Sequence, residues 1–189
     1  MMKSVLIAIR PQWCEKIASG EKTIEVRKTA PKEVPFKCYI YETQGQYVKF
    51  THGAHTKYGY GRGKVIGAFI CDRIEMVNAK CSNYGIDLFY HDCLTNGCLT
   101  EREIEKYFNV PEDRDLRAMK GNGYVWDISD LKIYDKPKEL SEFCIPCKVS
   151  CENCKNPLYF ECWCEEKGKK IVTRPPLSWC YVEDIGEEE

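Results

Sequence analysis

The sequence predicts an α+β protein: a small β-barrel of mixed but mostly antiparallel strands, with a few flanking helices and a cysteine-rich insertion. Three observations lead there. Short runs rich in β-branched and aromatic residues, bounded by Gly, Pro or Asp, outnumber helical patterns. Strands and helices do not alternate regularly, so a doubly wound parallel sheet is not expected. The 189 residues, 43% of them hydrophobic, suffice for one main core, and no repeat of solenoid length is present.

The elements follow in order. Ser4-Val5-Leu6-Ile7-Ala8-Ile9 is a continuous apolar run of strand length, as expected of a strand buried on both faces. Pro11 opens a helix, because its ring pre-sets φ and its missing N–H is not needed in a first turn. Trp13, Cys14, Ile17 and Ala18 give that helix one apolar stripe, Gln12, Glu15, Lys16 and Ser19 face water, and Gly20 ends it. From Thr23 the period becomes two: Ile24 and Val26 point to the core, while Thr23, Glu25 and Arg27 share the other face. Further strands are expected over Lys37 to Thr43, Lys64 to Cys71 and Tyr124 to Tyr134. Thr100 and Glu103 form a capping box, Leu99 can staple onto Ile104, and Asn109-Val110-Pro111 closes this later helix.

Composition narrows the function classes. The net charge is −1, but Glu183, Asp184, Glu187, Glu188 and Glu189 form an acidic tail, which leaves residues 1–182 at +4. A mildly basic body suits a phosphate-bearing partner, or is a solvated surface and no more. No apolar run approaches the roughly 20 residues of a membrane helix, and no leader pattern precedes the first strand, so a soluble, cytoplasmic protein without membrane contact is expected. Thirteen cysteines is an odd number in a chain too long to need disulfide staples, which points to reduced thiols plus a metal site.

Three constellations can carry chemistry. Lys22, Glu25 and Arg27 follow the first helix, and a carboxylate between two cations suits a structural ion pair, recognition of a base edge and a phosphate, or proton transfer with Lys22 as base and Glu25 as carrier. Arg10 and Trp13 can add a cation and a stacking surface to that pocket. The segment Gln44 to Lys64 lacks acidic residues and interleaves Lys49, Lys57 and Arg62 with Tyr47, Phe50, Tyr58 and Tyr60, so it reads as a glycine-rich loop able to grip phosphates and stack bases. Cys144-x2-Cys147-x3-Cys151-x2-Cys154 and Cys162-x-Cys164 carry zinc-ligand spacing. Four of Cys147, Cys151, Cys154, Cys162 and Cys164 are the expected ligands of one structural Zn²⁺, which would stabilise a segment poor in apolar residues.

Ile9-Arg10-Pro11, Gly20-x-Lys22-x-x-Glu25-x-Arg27, Lys64-Val65-Ile66-Gly67 and Trp126 to Leu140 resemble ASCH-domain proteins of the PUA-like superfamily. The ending Arg174-Pro175-Pro176-Leu177-Ser178-Trp179-Cys180-Tyr181-Val182 is similar to that of small phage and Firmicute ASCH proteins. The resemblance implies a PUA-like β-barrel with a cleft that binds RNA or modified nucleotides. It also implies two enzymatic alternatives, an amidohydrolase of acetylated cytidine and a ribonuclease. Lys22 would match the amidohydrolase's catalytic Lys, whereas Glu25 stands where its pattern has Thr. The expected organisation is an ASCH domain over 1–140 with an insertion at about 76–123, a zinc segment at 141–170, a return to the barrel over 171–182, and the tail 183–189. RNA or a modified nucleotide is thus the expected ligand of Arg10, Trp13, Lys22, Glu25, Arg27, Tyr58, Tyr60 and Arg62; a protein-interaction adaptor is the remaining alternative.

Overall fold

The computed structural model describes residues 2–52, 55–110, 121–146 and 170–186. In chain order the elements are β1 (Lys3–Ile9), α1 (Pro11–Ala18), β2 (Ile24–Arg27), β3 (Phe36–Glu42), β4 (Gly45–His52), β5 (His55–Gly61), β6 (Lys64–Cys71), β7 (Ile74–Asn78), α2 (Asn83–Thr95), α3 (Glu101–Phe108), β8 (Asn122–Asp127), β9 (Ser129–Lys138) and β10 (Trp179–Val182). The apolar opening run is β1, buried on both faces because a sheet neighbour lies on either side and a core lies above and below.

The main sheet has the order β10-β1-β3-β6-β9; β2-β8-β7 form a second sheet and β4-β5 a third. Pairing is antiparallel except between β1 and β3, which are parallel and joined by way of α1 and β2. Of the open or closed barrel that the sequence predicts, the closed form does not appear among the described residues. The chain instead crosses from the main sheet to the second one at a corner, once between β6 and β7 and back between β8 and β9. Arg73 Nε donates to Asp127 Oδ2 at 2.7 Å and Asp127 N to Arg73 O at 3.1 Å, which holds that corner open rather than continuing one ladder. The strand expected over Tyr124 to Tyr134 is therefore two strands in different sheets, broken at Ile128, whose N–H bonds Thr23 O at 3.0 Å.

Burial falls into three groups. Val5, Ile7, Phe36, Ile40, Phe69 and Trp126 pack under the α1 residues Cys14 and Ile17. Ile24, Val26 and Val125 pack against Phe89 and Cys93 of α2 and Ile104 and Phe108 of α3. Leu6, Tyr39, Val65, Phe143, Val172 and Val182 fill the opposite face of the main sheet. The capping box of α3 forms as its sequence requires: Glu103 N donates to Thr100 Oγ1 at 3.3 Å and Thr100 N to Glu103 Oε2 at 2.9 Å, and Asn109 ends the helix in the left-handed region. By contrast α2 was not expected, because its apolar residues lack a sharp helical period; Ser82 caps it by accepting from Gly85 N at 3.2 Å.

The segment expected as a loop, Gln44 to Lys64, is mostly the β4–β5 hairpin, with Val48 opposite Tyr58 and Gln46 opposite Tyr60. Aromatic and β-branched residues at alternating positions outweigh the glycines, one of which has a positive use. A Cβ on Gly59 would come within 2.5 Å of the Tyr47 ring, which lies across the ladder there.

Candidate functional site

The turn after α1 directs Lys22 inward. Gly20, at φ +79°, lets the chain reverse, and Lys22 N donates to Lys16 O at 2.9 Å. The ammonium then donates to Gly97 O at 2.8 Å, lies 3.5 Å from Glu25 Oε2, and sits 5.7 Å from the centre of the Trp13 ring. Arg27 Nη2 stands 3.1 Å from Glu25 Oε1 and donates to Ala8 O at 2.8 Å. The three charged groups named from the sequence thus converge on one another.

They are also sealed: Lys22 is 3% exposed and Glu25 6%. The alternation of β2 was expected to leave Glu25 and Arg27 on an open face. Instead the Asn96–Cys98 turn between α2 and α3 roofs Lys22, with Thr23 N donating to Asn96 O at 3.0 Å and Cys98 Sγ to Glu21 O at 3.3 Å. Tyr107 of α3 closes the other side; burial pushes its hydroxyl pKa up while the Arg27 charge pulls it down. Two buried atoms of the network, Glu25 Oε2 and Arg27 Nε, have no hydrogen-bond partner. Charges removed from water this way hold only because each faces its opposite.

Arg10, Tyr58, Tyr60 and Arg62 lie apart from the buried group. Exposed Arg10, with Pro11 and Gln12, forms one wall of a cleft of about 550 Å³ whose other wall is residues 43–48 at the base of the hairpin. Tyr58 and Tyr60 are exposed at 49% and 71% on the same hairpin face as Val48; Phe50, also exposed, carries the Lys57 ammonium 5.7 Å from its ring centre on the other face. Lys49 pairs with Glu15 and so ties the hairpin to α1. Burial first, then the hydrogen bond to Glu15, pushes Tyr47 up to about 12. Trp13 is half-buried and packs against the core.

Sequence reasoning missed Glu42. It is 6% exposed, accepts from Arg62 N at 2.7 Å and lies 3.8 Å from Arg62 Nε. Burial, then the charges of Glu42 and Glu25, drive the Cys14 thiol well above its ordinary pKa, which sets Cys14 among these carboxylates. A Glu closing an apolar strand looks in sequence like any solvated strand end; only its place opposite Lys64, where the β4–β5 hairpin begins and returns, distinguishes it.

Cys147, Cys151, Cys154, Cys162 and Cys164 lie outside the described residues. Among the described residues no group of three His, Cys, Asp or Glu could hold a metal ion, and no helix is long and apolar enough to cross a membrane. Cys14, Cys38, Cys71 and Cys93 are buried free thiols.

No protein-family model and no curated protein matches the sequence. Solved structures do match in shape. ASCH from Zymomonas mobilis superposes with a TM-score of 0.52 at 16% identity, over 96% of this chain and 88% of that one. Two single-substitution variants of the same protein give 0.52 and 0.53, again at 16% identity and 96% of this chain, covering 91% and 89% of theirs. At that identity the likeness establishes the fold: this chain folds as an ASCH domain does.

Proposed function

We propose that this ASCH-fold chain is an RNA- or modified-nucleotide-binding module, with the ligand in the cleft between the N-terminal end of α1 and the β4–β5 hairpin. The observation that carries the reading is Tyr58 and Tyr60, exposed on the hairpin face they share with the lining residues Val48 and Gln46, together with exposed Arg10 in the opposite wall and exposed Arg62 where the hairpin returns. Rings accept bases of any sequence, and flexible cations follow a phosphate backbone. Lys22, Glu25 and Arg27 act from beneath, fixing α1 against β2 and hence one wall of the cleft. Direct contact between them and a ligand requires the Asn96–Cys98 turn to lift. The ASCH fold supports this ligand class through the resemblance carried by Gly20 to Arg27.

Fluorescence anisotropy with a labelled short single-stranded RNA tests it. Tyr58→Ala and Tyr60→Ala should each weaken binding by on the order of 1–3 kcal/mol per stacked base, and affinity should fall as salt rises. Wild-type affinity in both variants would remove the hairpin from the site. A second reading, hydrolysis of a modified nucleoside such as acetylated cytidine or of RNA itself, is favoured by Glu25 Oε2 standing buried beside Lys22 without a hydrogen-bond partner. Mass spectrometry of the same mixtures decides it: turnover lost in Lys22→Met supports the hydrolase.

For the cysteine-rich segment we propose a structural Zn²⁺ held by four of Cys147, Cys151, Cys154, Cys162 and Cys164. Support comes from the thiol spacing and from the segment's flanks, where Cys144 pairs with Ile171, Ile145 N donates to Lys170 O at 2.8 Å, and Val172 N to Phe143 O at 2.8 Å.

A further inference from the structure

On the face of the main sheet away from α1, Asp184 docks onto a receptor built from β3. Its Oδ1 accepts from the Tyr39 hydroxyl and lies 3.3 Å from Lys37 Nζ, while Gly186 N donates to the same oxygen at 3.3 Å. Ile185 N in turn donates to the Tyr39 oxygen at 3.3 Å. Tyr39 is fully buried and the Lys37 side chain only 11% exposed, so this is a shaped anion pocket rather than a chance surface pair. Burial alone would raise the Asp184 carboxyl; the Tyr39 hydrogen bond and Lys37 outweigh it and hold the group below its ordinary value.

The pocket opens onto a cleft of about 620 Å³ lined by Lys37 of β3, by Lys132, Lys136 and Lys138 of β9 interspersed with Asp130 and Asp135, and by Gly186. The occupant of the pocket comes from the one strongly acidic stretch, 183–189, in a chain that is otherwise basic. We infer that this β3–β6–β9 cleft is a second binding surface for the phosphate backbone of single-stranded RNA, and that Asp184 is a built-in competitor for it. A carboxylate held by an ammonium and a phenol occupies the place a phosphate oxygen takes, and the neighbouring lysines extend the track. Ligand entry then displaces Asp184 from Lys37. The inference shares its ligand class with the function proposed above but none of its residues.

The same anisotropy titration tests it on the full chain. Asp184→Asn should bind the RNA about three- to tenfold more tightly at low salt, since an ion pair no longer has to be broken. Lys132→Glu/Lys136→Glu, at two exposed positions, should weaken binding by about tenfold or more and flatten its salt dependence. Affinity unchanged in either variant overturns the inference, and if Asp184→Asn fails to fold the lysine pair still decides. Loss of binding in Tyr58→Ala and Tyr60→Ala with no effect of the lysine pair upholds the hairpin site and sinks this one. The converse pattern upholds the second cleft and sinks the first.

Discussion

The side chains of Lys22, Glu25 and Arg27 illustrate how little a charged motif says about its own exposure. Water is excluded from Lys22 and Glu25, the Arg27 side chain keeps 12% of its surface exposed, and Glu25 is the shared counter-ion of two cations. Such a network adds little net stability, since desolvation offsets most of the Coulomb attraction, yet breaking it is costly because a carboxylate is left with less compensation. Arg27→Met should therefore destabilise the fold by about 3–5 kcal/mol in urea unfolding, also freeing Ala8 O from its donor. A loss under about 1 kcal/mol would mean the guanidinium is solvated rather than structural.

Among the elements, the α2–α3 pair decides whether that network meets solvent. Its turn supplies Gly97 O to Lys22 and Asn96 O to Thr23, so anything that frays α3 loosens the roof. Removing the capping box with Thr100→Ala should cost about 1 kcal/mol and speed hydrogen exchange at Thr23 and Leu99, whose N–H groups bond across this turn. Exchange unchanged at both amides would show the roof to be held by side-chain packing alone. The hairpin has less behind it: two strands, tied to α1 through Lys49 and Glu15, with Val48, Phe50, Tyr58 and Tyr60 exposed. Isolated ribbons of this kind are marginal in water, which suits a surface completed by a stacked ligand.

Over the whole molecule, two open sheets share a corner and bury three apolar groups, and Asp184 lies back on the main sheet against β3. The segment between Phe143 and Val172 is joined at its base to the third of those groups, since both residues are buried there. If a Zn²⁺ organises that segment, chelation should lower the melting temperature of the protein, and elemental analysis should find about one zinc per chain. Protein without stoichiometric metal, and with every cysteine from 144 to 164 open to alkylation, would end the zinc reading.

The local pattern was enough to place β1, α1, β6 and α3, because continuous apolar runs, a Pro at a first helical turn and a capping box act through neighbours a few residues away. It also brought Lys22, Glu25 and Arg27 together, since one turn and one strand period set their spacing. Sequence could not show that α2 forms or that residues 124–134 divide between sheets at Ile128, because each depends on contacts with distant segments. The 44–64 ribbon is local, and its signal of alternating aromatic and β-branched positions was masked by the glycines between them. Burial of the Lys22 ammonium belongs with the contacts between distant segments: it is imposed by Gly97, 75 residues beyond Lys22, and no local periodicity carries the position of a roof.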